Sequence, residues 1–146
     1  MNKIISAYLS KKKVLSFATS LNNIPYSANC YYVFDNTNYV LLFLSDENTR
    51  HIKEAVENEN VAGTITTDAK TIVQLQGVQF TGKFIIPDET QKEQFYKVYY
   101  NKFPFAKAKP SKIWGISLEY LKMTDNTLGF GTKHLWERGH FNPSLR

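Results

Sequence analysis

The chain is predicted to be mainly β within the α+β class: a small antiparallel barrel of six or seven strands with helices packed outside it. Three observations lead there. Short segments with alternating or continuous apolar character follow one another, split by turn residues. A long strand-like stretch carries Gly77 and Gly82, which suit bulges or bends that curve a sheet. Helical patterns interrupt the strands singly, giving the order α-β-β-β-α-β-β-α-β-β.

Taken in order, residues 2–12 place Ile4, Ile5, Tyr8 and Leu9 on one helical stripe. "VLSFATS", "SANCYYVF" and "YVLLFL" then read as consecutive antiparallel strands, with "NN" and "DNTN" as turns. In the second, Ala28, Cys30, Tyr32 and Phe34 face one way and Asn29, Tyr31 and Val33 the other; the third has no polar position and must be covered on both faces. A helix over 48–58 carries the apolar stripe Ile52, Ala55 and Val56. The strand "VAGTITT" leads to "TIVQLQGVQFTGKFII", where Val73 and Leu75 alternate with Gln74 and Gln76. Asp88 with Gln91 three residues on signals a capped helix whose stripe is Phe95, Val98, Tyr99 and Phe103, and Pro104 ends it. "IWGISLEYLKMT" and "GFGTKHLWE" return to strand patterning, with Trp114, Ile116 and Leu118 on one face.

A chain of 146 residues buries a core without disulfides or metal, and no linker or repeat divides it, so one domain over 1–146 is expected. The single Cys30 excludes an intramolecular disulfide and any multi-cysteine metal site, and reads as a small buried apolar residue. No stretch reaches the ~18–20 apolar residues of a membrane span or has the form of a signal peptide, which predicts a cytoplasmic protein. A net charge of +5 and a pI near 9.2 favour an anionic ligand. The longest basic run, Lys11 to Lys13, falls short of a nucleic-acid tail.

The stretch "YVLLFLSDENTRHIKEAVENENVAGTI" raises the functional question. A buried strand positions the turn, Asn48 or Thr49 is a natural cap, and first-turn amides are left free. Arg50 and His51 carry the wrong charge for a helix N-terminus, which an anion would offset. A phosphate would accept from the amides, the Thr49 hydroxyl and the Arg50 fork. The competing reading makes Arg50 and His51 solvated, or pairs Arg50 with Glu47 or Glu54.

The strand order, "FLSDENTRH" after the third strand, "ENENVAGTI" and "IVQLQGVQFTGK" together resemble the pyridoxamine 5′-phosphate oxidase-like FMN-binding split-barrel superfamily. "FPFAKAKPSKIWGISLEYLKMTDNTLGFGTKHLWER" is similar to a short, functionally uncharacterised bacterial branch of it. The resemblance implies an antiparallel split β-barrel with peripheral helices, and FMN at a homodimer interface, its ring along the second and third strands. It also implies a phosphate held by a Ser/Thr-Arg-Lys segment, on which Thr49 matches the hydroxyl and Arg50 the arginine, while His51 stands where lysine is commoner. Ser27, Ala28, Asn29 and Cys30, with Leu44 and Ser45, fall on the strands beside the flavin, where backbone groups would meet the ring's polar edge. Gln74 and Trp114 are candidates for contacts from the partner subunit, Gln74 equally a solvent-facing residue and Trp114 a core one.

Other signals carry less. "GFGTK" lacks the spacing of a nucleotide fingerprint and reads as a turn with two flexible glycines; His51, His134 and His140 share no ligand spacing. The exposed-looking tyrosines sit in patterned strand and helix segments, where packing is the default. The expected function is an FMN-dependent oxidoreductase acting on a small molecule, without the Arg-x-His segment of a true pyridoxamine phosphate oxidase, which "WERGH" does not reproduce. The alternative is a non-catalytic binder of flavin, a related cofactor or haem.

Overall fold

A computed structural model describes residues 1–139 of the chain. The elements run α1 (Lys3–Lys11), β1 (Val14–Leu21), β2 (Ile24–Asp35), β3 (Val40–Leu44), α2 (Arg50–Glu57), β4 (Asn60–Thr66), β5 (Gln76–Ile85), α3 (Glu89–Lys102), β6 (Ile113–Asp125) and β7 (Lys133–Glu137), in the expected order. The strands form one antiparallel sheet, β3-β2-β1-β4-β5-β6-β7, and a further β3–β6 pairing closes six of them into a ring. The fold is an antiparallel split barrel.

The split arises in β6. Its residues Ile113 to Ser117 pair with β3, whereas Tyr120 to Thr124 pair with β7 on the same side. β2 is divided likewise: Tyr32 to Asp35 pair with β3, but among the described residues Ile24 to Tyr31 pair with β1 alone, leaving their other flank as a sheet edge. Gly82 marks the bend. The β5–β6 register shifts between Thr81 and Gly82, and a Cβ at Gly82 would lie 2.4 Å from the Ser117 carbonyl oxygen. Gly77 pairs without a shift, against expectation. The β1–β2 hairpin turns on Asn22 and Asn23, both in the left-handed region at φ 53° and 61°, as a two-residue turn requires.

Burial follows the strand patterns. Leu15, Phe17, Leu41, Phe43, Ile116 and Leu118 fill the interior, joined by Ile5, Tyr8 and Leu9 of α1 and Ile52 and Ala55 of α2. The alternate residues of β3, Val40 and Leu42, form an outer cluster with Phe95 and Tyr99 of α3 and its C-cap residue Phe103. Both faces of β3 are therefore covered, as its lack of polar positions demands. α3 opens on the capping box of Asp88 and Gln91. Ile4 and Val56, expected on buried stripes, are instead exposed, at 41% and 48%.

One segment departs from the alternation. Ile72–Gln74 is a 3-10 turn and β5 begins only at Gln76. β4 ends at Thr66, opposite Gly77, so residues before Gln76 have no strand to pair with. Their backbone is satisfied across the turn: the Asn126 side-chain amide donates to the Ile72 carbonyl (2.8 Å) and the Asn126 backbone N–H to that of Leu75 (3.0 Å). Residues 129–131 form the expected glycine turn, with φ 123° at Gly129 and 77° at Gly131. No helix among the described residues is long and apolar enough to cross a membrane.

Candidate functional site

The turn from Ser45 to Thr49 is pinned to β6. The Ser45 amide donates to the Lys112 carbonyl (3.0 Å), the Trp114 indole donates to the Ser45 carbonyl (2.9 Å), and Lys112 pairs with Glu47. Trp114 is core, 6% exposed and stacked on Phe84 at 5.4 Å, so its role within this chain is to fix the turn. Inside the turn the Asn48 amide donates to the Asp46 carboxylate (2.7 Å) and the Thr49 hydroxyl to the Asp46 carbonyl (2.8 Å).

That last bond matters for the helix. Thr49 is the N-cap residue of α2, but its hydroxyl makes no capping bond to the first turn. The first backbone bond into the helix is from Lys53 to the Thr49 carbonyl (3.1 Å), and the Arg50, His51 and Ile52 amides find no acceptor among the described residues. Three donors at the positive end of a helix dipole are left for a ligand.

The basic residues divide into two hydrogen-bonded groups. His51 Nε2 lies 2.7 Å from Ser45 Oγ and 3.2 Å from Thr49 Oγ1, with its ring edge-on to Phe17. Burial holds its pKa below the usual histidine value. Arg50 turns along the helix. Its Nε donates to Glu54 Oε1 (3.0 Å), and its guanidinium carbon sits 4.2 Å from the Tyr26 ring centroid. Glu54 Oε2 accepts from the Thr19 hydroxyl (2.5 Å), and both residues are buried. That bond, then the one from Arg50, keeps the carboxyl pKa below its ordinary value. The Arg50–Glu54 pair anticipated as one option is thus formed, while the two terminal nitrogens of Arg50 bond no described residue. Arg50, Trp114, Leu21, Asn48 and Val56 border an open groove of about 590 Å3.

The flavin-strand candidates lie on the free edge. Ser27 and Asn29 are exposed, whereas Ala28 and Cys30 are half-buried against the interior cluster. In an antiparallel pair alternate residues turn their N–H and C=O away from the partner, so this edge presents backbone donors and acceptors of the kind a heterocycle's polar rim accepts. Burial pushes the Cys30 thiol up to about 11. Leu44 is half-buried against the outer cluster. Gln74 is not brought to α2: it is exposed in the 3-10 turn and lines a separate shallow pocket with Thr67, Lys70 and Gln76. His134 lies on β7, and His140 and the end of "WERGH" fall outside the described residues.

Thr19 and Tyr26 carry no local motif that marks them as site residues. They face each other across the hairpin, and the register needed to see this follows from the Asn22–Asn23 turn, which pairs Leu21 with Ile24 and so Thr19 with Tyr26.

A UPF0306 protein of Cronobacter sakazakii is 37% identical over 134 residues, covering 92% of this chain and 93% of its own length. The chain belongs to the UPF0306 family. No family model matches it. Among solved structures, a heme binding protein from Mycobacterium smegmatis superposes with a TM-score of 0.72 at 11% identity, over 90% of this chain and 56% of that one. A FAD-binding protein from Mesorhizobium loti gives 0.68 at 16%, over 84% and 94%. A Listeria innocua protein proposed to be a pyridoxamine 5′-phosphate oxidase gives 0.65 at 17%, over 82% and 94%. The UPF0306 chain thus shares the pyridoxamine 5′-phosphate oxidase-like split-barrel fold.

Proposed function

We propose that this UPF0306 protein binds FMN at the start of α2 and along the free edge of β2, and acts as a flavin-dependent oxidoreductase on a small molecule. The observation that carries the reading is the uncapped helix start. Thr49 spends its hydroxyl on Asp46, and among the described residues three first-turn amides lack acceptors and the terminal nitrogens of Arg50, the first residue of the helix, lack partners. A phosphate monoester supplies acceptors for that donor set. His51, through Ser45, ties the helix start to the end of β3.

Ser27, Ala28, Asn29 and Cys30 would offer backbone groups to the ring, and Ser45 would border it. The cofactor supplies hydride exchange when bound; the protein's part is to bind, orient and exclude water. The edge is flanked by Ile24 and Tyr31, each 58% exposed, which supports a second copy of the chain covering the ring in a homodimer, with Gln74 contributed from that copy.

The fold neighbours include a heme binding and a FAD-binding protein, so a storage or carrier role for FMN, a related cofactor or haem is the competing reading. FMN-loaded protein should pass electrons from a reduced nicotinamide to an added quinone or nitro compound faster than free FMN does. Saturable FMN binding without any such turnover would favour the carrier and sink the enzyme.

A further inference from the structure

We infer that Glu54 is a positioning residue, resting on the phosphate reading above: with Thr19 and Tyr26 it holds the Arg50 fork so that its terminal nitrogens are ready for a phosphate. The geometry is a three-part clamp. Thr19, 1% exposed on β1, donates to Glu54 Oε2 and fixes that carboxylate against the barrel. Glu54 Oε1 then takes Arg50 Nε and not the terminal nitrogens. The Tyr26 ring supports the guanidinium face at 4.2 Å. A guanidinium presents two bidentate edges, and occupying Nε commits one of them while leaving the Nη1/Nη2 edge free.

An arginine on an exposed first helical turn otherwise samples many rotamers, and ordering it on binding costs affinity. Orienting it beforehand lowers that cost. Glu54 also places a negative charge near the proposed phosphate, which opposes binding. The two effects have opposite signs, so removing the carboxylate distinguishes them. Because riboflavin lacks the phosphate and otherwise matches FMN, the ratio of the two dissociation constants isolates the phosphate's share.

The test measures that ratio by flavin fluorescence quenching for the full chain, Glu54→Ala and Glu54→Gln. Glu54→Ala should weaken FMN roughly tenfold, about one hydrogen bond's worth, and leave riboflavin unchanged. Glu54→Gln, whose amide oxygen can still accept from Nε, should recover most of the loss. Equal weakening of both ligands would mark Glu54 as merely structural, and tighter FMN in Glu54→Ala would show the charge to be the larger effect; either result overturns the inference. A wild-type ratio near one would remove the phosphate reading and this inference with it, whereas a large wild-type ratio unmoved by Glu54→Ala removes the inference alone. If Glu54→Ala does not fold, Tyr26→Leu carries the test: the ratio should fall, and an unchanged ratio overturns the clamp.

Discussion

Replacing Arg50 by alanine should separate phosphate binding from folding. In the free protein Arg50 bonds Glu54 through Nε alone, its own side chain is 54% exposed, and Glu54 keeps the bond from Thr19 when the arginine is removed, so the loss should leave the chain folded at assay temperature. In the FMN complex the terminal nitrogens would face the phosphate. One charge-assisted bond of this kind is worth about 1.5–3 kcal/mol, or roughly 10- to 150-fold in Kd, which is taken as the net worth of an exposed, solvent-competed pairing. Glu54, 3.0 Å from Nε, already offsets part of the guanidinium charge. The expected loss therefore lies in the lower half, roughly ten- to fortyfold. Arg50→Lys should fall between, since an ammonium keeps the charge and lacks the fork. The assay is a fluorescence-quenching titration with FMN, paired with riboflavin and a circular dichroism spectrum. FMN affinity within twofold of wild type, or an equal loss for riboflavin, would refute the assignment of Arg50 to a phosphate.

Other expectations concern single groups. Gly63→Ala would set a Cβ 2.3 Å from the Ser16 carbonyl oxygen and 2.4 Å from the Phe80 ring, so it should cost about 1–3 kcal/mol in urea unfolding despite the entropic gain of alanine; no loss would mean that β1 and β4 pack more loosely than described. Cys30, with its thiol near 11, should react slowly with iodoacetamide at pH 7–8 and speed up as pH rises towards that value; rapid alkylation at neutral pH would contradict its burial. Because burial lowers the His51 pKa, the unfolded chain binds that proton more readily: the contribution of His51 to stability is full above the unfolded value of about 6.5 and declines as pH falls towards the folded one. Its ring protons, followed by NMR, should titrate below a free histidine and shift upward when FMN binds; titration above the free value without ligand would rule this out.

Much of the barrel was legible because strand patterns carry their own burial instructions. β3, apolar at every position, is sandwiched between the interior and α3, and the alternation in β2 places Ala28 and Cys30 inward. Residues 71–75 were misread as strand because alternation is rewarded only where a neighbouring strand exists, and β4 stops at Thr66. Ile4 and Val56 overran their stripes because each helix buries a narrower face than its apolar residues suggest. At the site, the cap position of Thr49 and the partner option for Arg50 could be read from local spacing. The diversion of the Thr49 hydroxyl to Asp46 and the Thr19–Glu54–Arg50 chain could not, since both depend on rotamers and on contacts across the hairpin.

The most direct test of the account is a titration of the purified protein with FMN, followed by visible absorption and fluorescence quenching, beside the same titration with riboflavin. Saturable quenching at one FMN per chain is expected, with markedly weaker riboflavin binding. Absence of saturation, or equal affinity for the two flavins, would contradict a phosphate site at Thr49, Arg50 and His51.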